Sequence, residues 1–306
     1  MNNQHQWPVD FGQEFHDLQD VVLNLNCQTL ELDGSWGNLG YWVDEHGECI
    51  HQYSAAAARL ADTLGHATQL KPNHHILDVG FGCGDQIIHW QHQFGVKNIW
   101  GINYSQIQTQ YAQQKLAILN GKAQLCLGDA TQAKAWQGLP NTFDRIIALD
   151  CVYHFSNKTN FFSLCADHFH HQKDQGDSSE LVLTDLILTK PVQNPVQLVL
   201  LKMVCYFSHI PFSNLKVRQD YEAQLKQVNL SLLEYEDLSA QVMRPFSHWV
   251  FQFRQNVKNL KNIDDKQRVL KNIGWSKYIG TALFLRWAAR HNIFQYVLMR
   301  IGKDNA

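Results

Sequence analysis

The chain has 306 residues, of which 45% are hydrophobic and 18% charged, a composition typical of a globular protein. Its length allows one large domain or a core domain with an added subdomain. The 26 basic and 28 acidic residues leave a formal net charge of −2, so no strong positive field would attract nucleic acid.

Cysteine usage and the first residues predict a cytoplasmic protein. The seven cysteines are odd in number and form no C-x-x-C pair, which indicates reduced thiols. Residues 1–19 are polar, unlike a secretory signal peptide. The most apolar run, residues 196–207, is too short to span a bilayer and contains Lys202. We therefore expect no stable membrane insertion, and we leave open a homodimer.

The first predicted elements are helical segments around a loop. A short apolar stripe with helical spacing runs from Leu18 to Leu25. Residues 34–42 form a loop rich in glycine and aromatic side chains. Residues 51–64 predict a helix, because alanines and leucines recur there on one face.

Between residues 66 and 190, predicted strands alternate with predicted helices. Short apolar runs predict strands at residues 76–79, 98–103, 124–127, 143–149 and 181–188. Helical spacing predicts helices at residues 86–93, 105–120 and 159–169, the second of them capped by Ser105. This alternation predicts an α/β fold, with a parallel sheet and helices on both faces.

After residue 189 the pattern changes. Residues 195–208 predict an apolar helix that begins at a proline, and residues 217–228 predict an amphipathic helix. Strands are predicted at residues 230–236 and 294–301, on either side of a helical region with breaks near Pro245, Asp264 and Gly274. We therefore expect a Rossmann-like, seven-stranded, mostly parallel sheet with a helical cover inserted late in the chain.

The most informative motif is the run from Asp78 to Gly84, D-V-G-F-G-C-G, which follows a predicted buried strand. Alternating glycines allow a sharp turn and a close approach of a ligand, and ligands bind at the carboxyl ends of parallel strands. The dinucleotide fingerprint is spaced differently, as G-x-G-x-x-G. Asn103 also stands where a nicotinamide site has an acid. A cofactor with a positively charged amino acid end fits better, which favours S-adenosylmethionine.

Two further strings follow predicted strands: G-I-N-x-S-x-x-Q at residues 101–108 and L-D-C-x-Y-H-F at residues 149–155. With the glycine loop, they make the sequence resemble the class I S-adenosylmethionine-dependent methyltransferases. Within these it is most similar to the branch of sugar O-methyltransferases, sterol and tocopherol C-methyltransferases and cyclopropane synthases. The resemblance extends from about Trp36 to Leu188 and is weaker beyond.

The resemblance implies roles in binding the methionine part of the cofactor. Gly80, Gly82 and Gly84 would line it, with Asp78 near its ammonium group. Tyr41, beside Trp42, would close over it from the N-terminal segment.

The resemblance also implies residues that contact the nucleoside part of the cofactor. Asn103 would contact the ribose hydroxyls, where most class I enzymes carry an acid. Asp129 would accept a hydrogen bond from the adenine amino group, with Ala130 beside the ring. Tyr104 and Gln108 are assigned to the same site, as is Asp150 at the end of the fourth strand.

Transfer to a hydroxyl requires alignment of the acceptor and a base with a pKa near about 7. His154 follows the fourth strand and is predicted to be that base. In similar sugar O-methyltransferases such a histidine pairs with an aspartate on the fifth strand, which here is Asp185. A structural role for either residue stays open. Cys151 is interpreted as a packing residue, with a role like that of the cysteine in cyclopropane synthases left open.

Two further groups of side chains have a structural interpretation beside a functional one. The histidines at residues 168–171 have no metal-ligand spacing, so we expect a solvated helix end and no metal. The apolar segment of residues 196–207 either lines an acceptor pocket or packs against the sheet, and the same two interpretations apply to the aromatic residues Phe207, Phe212, Trp249, Phe251 and Phe253.

We therefore predict a methyltransferase that acts on a small lipophilic or glycosylated metabolite, by O-methylation, as in natural product biosynthesis. Methyl transfer to carbon or nitrogen, including cyclopropane-type lipid modification, and a non-catalytic cofactor-binding partner are the alternatives. The predicted division is residues 1–65 as an N-terminal helical segment that closes over the cofactor, 66–190 as the cofactor-binding core, and 191–306 as the acceptor-binding cover with the last two strands.

Overall fold

The computed structural model describes residues 35–119, 121–170, 178–258 and 274–304. The strands are β1 (His75–Val79), β2 (Asn98–Asn103), β3 (Gln124–Leu127), β4 (Arg145–Ala148), β5 (Glu180–Leu188), β6 (Leu230–Asp237) and β7 (Phe294–Lys303). The helices are α1 (Tyr53–Ala67), α2 (Asp85–Gln93), α3 (Gln106–Ile118), α4 (Lys158–Asp167), α5 (Pro195–Phe207), α6 (Arg218–Lys226), α7 (Ser239–Lys258) and α8 (Gly274–His291). None of these helices is long and apolar enough to cross a bilayer.

The strands form one seven-stranded sheet in the order β3-β2-β1-β4-β5-β7-β6. Strands β1 to β5 are parallel, and β7 runs antiparallel to both β5 and β6. The order reverses between β1 and β4, and ligands bind at such a reversal in open α/β sheets. The predicted fold class is confirmed.

Strand residues alternate between two hydrophobic clusters because successive side chains point to opposite faces of a sheet. Ile76 and Val182 belong to the larger cluster, which includes residues of α1, α2, α7 and α8. Leu77 and Leu181 belong to the smaller cluster, with residues of α4 and α6. Helices therefore cover both faces, as predicted.

Local signals located most helix ends correctly. The Ser105 hydroxyl accepts a hydrogen bond from the Gln108 amide (3.3 Å), so Ser105 caps α3 as predicted. Pro195 stands in the first turn of α5, where its missing N–H costs no hydrogen bond. The predicted stripe from Leu18 to Leu25 and the predicted break near Asp264 lie outside the described residues. The predicted division at residues 65 and 190 stays a prediction.

The predicted break at Pro245 is wrong, because α7 runs through it. A proline inside a helix leaves the carbonyl four residues earlier without its helical donor. Here the Trp42 amide donates to that carbonyl, Gln241 O, at 3.0 Å. The N-terminal loop supplies the missing hydrogen bond and is thereby fixed against the cover.

A buried ion pair joins β5 to helices α4 and α6. The Lys158 ammonium donates to Asp185 Oδ2 (2.5 Å), and the Tyr221 hydroxyl donates to the same oxygen (2.9 Å). The Lys158 and Asp185 side chains are 1% and 0% exposed. Burial lowers the pKa of Lys158, and the adjacent Asp185 opposes that shift.

Removal of one partner from this pair should destabilise the protein strongly. We expect Lys158→Met to lower the free energy of unfolding by about 3–5 kcal/mol at neutral pH, because Asp185 keeps a buried, uncompensated charge. Denaturant unfolding measures this change. The double variant Lys158→Met/Asp185→Leu should recover much of the loss.

The exposed pair of Arg218 and Glu222 provides a matched control. Arg218→Met should change stability by less than about 1 kcal/mol. If Lys158→Met unfolded at the wild-type denaturant concentration, the ion pair would not have the structural role that its burial indicates.

Candidate active site

The glycine loop turns sharply after β1. Gly80, Gly82 and Gly84 have φ of +77°, +55° and +85°, the left-handed region that favours glycine. A Cβ added at Gly80 would lie 2.7 Å from Cys151 Sγ, whereas one added at Gly82 would meet nothing within 4 Å. The first glycine therefore permits close packing with the β4 loop, and the second borders open space.

Asp78 is fully buried just before this loop. Its Oδ1 accepts a hydrogen bond from Gln86 Nε2 (2.7 Å), and its Oδ2 is buried without a partner among the described residues. Burial raises the pKa of Asp78 to about 8, against the opposing effect of the Gln86 hydrogen bond. A bound cationic group would favour the ionised form, so these residues fit a ligand with an ammonium group.

Two cavities form a continuous crevice at the carboxyl ends of β1 to β4. The smaller cavity, of about 210 Å³, is bounded by residues 35–38 and 80–83. The larger cavity, of about 480 Å³, is bounded by Tyr104, Asp129 and Ala130. The residues that line both are Gly80, Asn103, Cys151 and His154. The crevice is long enough to touch the glycine loop at one end and the β3 loop at the other.

Polar side chains at the β2 and β3 ends are held by local hydrogen bonds. Asn103 Nδ2 donates to Gln108 Oε1 (3.1 Å). Asp129 Oδ1 accepts from the amide and hydroxyl of Thr131 (2.9 and 2.8 Å). The Tyr104 side chain is 78% exposed at the rim of the larger cavity.

A third cavity, of about 210 Å³, adjoins the crevice beneath the cover. Asp150 and His154 line both this cavity and the smaller half of the crevice. Its apolar walls are Leu39, Leu186, Ile210, Phe246, Phe284 and Leu285. Its polar groups come from Gln108, Asp150, Tyr153, His154, Ser208, Tyr278 and Thr281. The cavity thus combines apolar walls with a polar end next to the crevice.

Asp150 holds four parts of the chain together. Its Oδ1 accepts hydrogen bonds from the hydroxyls of Tyr153 (2.7 Å) and Tyr296 (3.0 Å), and its Oδ2 accepts from the Leu39 amide (2.6 Å). Its own amide donates to Thr184 Oγ1 (2.8 Å). With φ at +56°, Asp150 has a strained backbone of the kind that clusters at functional sites. Burial raises its pKa to about 6, although the Tyr153 hydroxyl opposes the shift.

His154 lies where the crevice and the third cavity meet, and it lines all three cavities. Its Nδ1 lies 3.3 Å from the carbonyl oxygen of His209. Since a carbonyl only accepts, Nδ1 carries the proton in this contact, and the neutral ring has its lone pair on Nε2. The Tyr153 ring packs beside the imidazole, with centroids 4.4 Å apart.

The end of helix α5 fixes the His209 carbonyl. The Ile210 amide donates to Cys205 O (2.8 Å) and the His209 amide to Tyr206 O (3.3 Å), with His209 at φ +52°. This is the Schellman arrangement that ends helices with a left-handed residue. The cover thus orients the imidazole ring.

The structure corrects the expected pairing of His154 with Asp185. The Asp185 carboxylate accepts from Lys158, Tyr221 and its neighbouring amide, and it lines none of the three cavities. Side chains alternate along β5, so Thr184 and Leu186 face the site and Asp185 faces the opposite core cluster.

Nine of the thirteen predicted site residues line these cavities: Gly80, Gly82, Asn103, Tyr104, Gln108, Asp129, Ala130, Asp150 and His154. The other four do not. Asp78 is buried behind the loop, and Gly84 packs against Ala112 of α3. Tyr41 does not line the crevice. Its pKa is raised, mainly because the hydroxyl is partly buried and also because Glu236 is negatively charged.

Sequence reasoning missed the second wall of the site. Residues 35–38 border the glycine loop, and their only signal was the glycine–aromatic composition of the segment. Phe246 and Phe284 line the third cavity in place of the predicted aromatic set. Trp249 of that set stacks on Tyr53 (centroids 4.9 Å apart) within the core, and Phe207 is 70% exposed.

Cys151 and His168 have ordinary packing contacts. The Cys151 thiol donates to Val79 O (3.2 Å), and burial raises its pKa well above the usual value. His168 packs on Trp136, with centroids 4.7 Å apart. In the part of the chain that the structure describes, no group of three His, Cys, Asp or Glu side chains could hold a metal ion.

Comparison with known proteins identifies the family. The profile of the mycolic acid cyclopropane synthetase family matches residues 47–295. Erythromycin 3''-O-methyltransferase from Saccharopolyspora erythraea is 26% identical over 220 residues, which cover 71% of this chain and 69% of that enzyme.

Solved structures share the fold. The cyclopropane synthase MmaA2 from Mycobacterium tuberculosis superposes with a TM-score of 0.66 at 16% identity, over 96% of this chain and 100% of that one. The cyclase SpnF gives 0.65 at 16% identity, over 94% and 93%. Because the family profile covers most of its length, the chain belongs to the mycolic acid cyclopropane synthetase family and is an S-adenosylmethionine-dependent methyltransferase of small-molecule or lipid type.

Proposed function

We propose that this enzyme methylates a hydroxyl group on a lipophilic or glycosylated small molecule, with His154 as the general base. The observation that carries the proposal is the position of His154, which lines the cofactor crevice and the third cavity at once. We therefore assign the third cavity to the acceptor. The relative that methylates an oxygen of erythromycin supports a hydroxyl acceptor.

The cofactor would occupy the crevice in an extended form. Gly80 and Gly82 would contact its methionine part, with Asp78 beneath, and Asp129 and Ala130 would lie at its adenine. Asn103, which donates a hydrogen bond to Gln108, would contact the ribose hydroxyls. When bound, S-adenosylmethionine supplies a methyl group that its sulfonium already activates.

The chain's own residues would orient the acceptor and remove its proton. Apolar walls such as Phe246 and Phe284 would exclude water from the acceptor body. With Nδ1 directed at the His209 carbonyl, His154 Nε2 would accept the hydroxyl proton as the oxygen–methyl bond forms. The negative charge of Asp150 at the same junction would stabilise the resulting imidazolium.

Methyl transfer to an alkene carbon, as the family description suggests, is the second candidate. The aromatic rings that line the acceptor cavity, with the Asp150 carboxylate, would stabilise a cationic intermediate on the acceptor. Incubation with labelled S-adenosylmethionine and separate sets of glycosylated macrolides and unsaturated fatty acids, followed by NMR location of the methyl group, distinguishes the candidates.

Substitution of Gly80 should weaken cofactor binding beyond its effect on folding. Gly80→Ala and Gly138→Ala both force alanine into the left-handed region, at a cost of about 1–2 kcal/mol. Only Gly80→Ala also meets Cys151, and it should lower affinity for S-adenosylhomocysteine at least about tenfold in calorimetry. Equal affinity in the two variants would remove the glycine loop from the cofactor site.

Loss of the base should affect chemistry and leave cofactor binding intact. We expect His154→Ala to lower kcat on a hydroxyl acceptor at least about 100-fold, because proton removal loses its base. Its affinity for S-adenosylhomocysteine should stay at the wild-type level. His170→Ala, at an exposed histidine paired with Asp144, is the matched control. An unchanged rate in His154→Ala would exclude this residue as the base.

The dependence of kcat/KM on pH should reflect the protonation of the Asp150 carboxylate. Its carboxylate, with a pKa of about 6, protonates as the pH falls, and the charge at the junction is lost. Tyr296→Phe removes a donor to the ionised form, so the pKa of Asp150 should rise and the acid limb of kcat/KM should move up by about half a pH unit or more. Tyr235→Phe, whose hydroxyl bonds Gln295, is the control. If the acid limb of kcat/KM lay at the same pH in Tyr296→Phe and Tyr235→Phe, activity would not depend on the charge of Asp150.

A further inference from the structure

Helix α5 carries an outward stripe of large apolar side chains. The stripe consists of Val196, Val199, Leu200, Met203, Tyr206 and Phe207, which are 66%, 57%, 42%, 52%, 78% and 70% exposed. These positions recur at the three- and four-residue spacing of one helix face and span about 16 Å. Surface helices normally turn polar residues outward. Helix α5 instead buries Leu201 and Cys205, and none of the described segments covers its second apolar face.

Basic residues flank this stripe along the chain, and one of them lies on α5. Between Leu186 and Gln219 the sequence has no Asp or Glu and four Lys or Arg residues: Lys190, Lys202, Lys216 and Arg218. Arg218 is paired with Glu222, so Lys190, Lys202 and Lys216 supply the positive charge of this segment. Lys202 lies on α5 itself, with its ammonium 5.5 Å from the centroid of the Phe212 ring, a further exposed aromatic side chain. Long basic side chains can keep their charge in water while their stems lie on apolar surface. The charge of this surface complements an anionic one.

The stripe is continuous with the acceptor cavity. Ser208, which follows Phe207 directly, lines that cavity, and so does Ile210. Tyr206 and Phe207, two of the most exposed members of the stripe, thus lie next to the segment that borders the acceptor. A surface that bound at α5 would lie beside this border.

We propose that α5 docks the enzyme on an anionic lipid surface. The apolar stripe would enter the headgroup boundary, and the basic residues would contact the lipid charges, as for interfacial helices in general. A second copy of this chain fits less well, because a two-fold interface would bring together two patches that both carry positive charge. The inference goes beyond the proposed function, since adsorption to lipid requires no methyl transfer.

Co-sedimentation of the full chain with vesicles tests this proposal. We use vesicles of phosphatidylcholine with phosphatidylglycerol and vesicles of phosphatidylcholine alone. The protein should bind the anionic vesicles more tightly, and less so at high salt. Met203→Gln/Tyr206→Gln should lower the partition coefficient at least about tenfold, because two large apolar groups leave the boundary. Lys202→Gln should reduce the preference for anionic vesicles.

The control variant is Ile118→Gln/Leu127→Gln, which removes two comparably exposed apolar residues far along the chain from α5. It should bind vesicles like the wild type, and so should His154→Ala, which separates this result from the proposed chemistry. The proposal is overturned if the wild type stays in the supernatant or if the control loses binding equally. It is also overturned if the α5 variant converts a wild-type dimer to a monomer while its vesicle binding is unchanged.

Discussion

Gly80 and Cys151 lie side by side where the chain leaves two adjacent parallel strands, β1 and β4. A Cβ on Gly80 would fall within 2.7 Å of the sulfur, so this approach requires glycine. The contact sets the separation between the glycine loop and the β4 loop. Since Asp150 and His154 follow on the β4 loop, two of the segments that line the crevice depend on one position without a side chain. Ligand binding at the reversal of strand order thus has a local steric origin.

Asp150 connects this crevice to the rest of the molecule. It receives hydrogen bonds from Leu39 of the N-terminal loop and from Tyr296 of the last strand, residues more than 250 positions apart. A buried carboxylate is costly unless its lone pairs are satisfied. Asp150 is partly buried, and its hydrogen bonds therefore favour the arrangement in which the N-terminal loop, the β4 loop and β7 all meet at the site. The left-handed backbone at Asp150 belongs to the same arrangement.

Much of this site could be predicted, and the exceptions have a physical cause. The glycine loop, Asn103, Asp129 and His154 follow strands directly, so local pattern and strand order suffice to place them. Asp185 is different, because a shift of one residue along a strand exchanges the two faces of a sheet. Residue 185 therefore joins Lys158 and Tyr221 in the opposite core, whereas Thr184 faces the site. The strand was predicted correctly, but the face of this residue was not.

By itself, the sequence determined the α/β fold, the order of its elements and the position of the glycine loop, because hydrophobic period, caps and glycine spacing act within a few residues. Only the tertiary structure decided which groups come together at the third cavity. Phe246 and Phe284 line this cavity from α7 and α8, and Tyr296 of the last strand holds Asp150 at its edge. The spacing of these three residues along the chain is that of ordinary core residues. The same holds for α7, which continues through Pro245 because Trp42, about 200 residues earlier, supplies the missing donor.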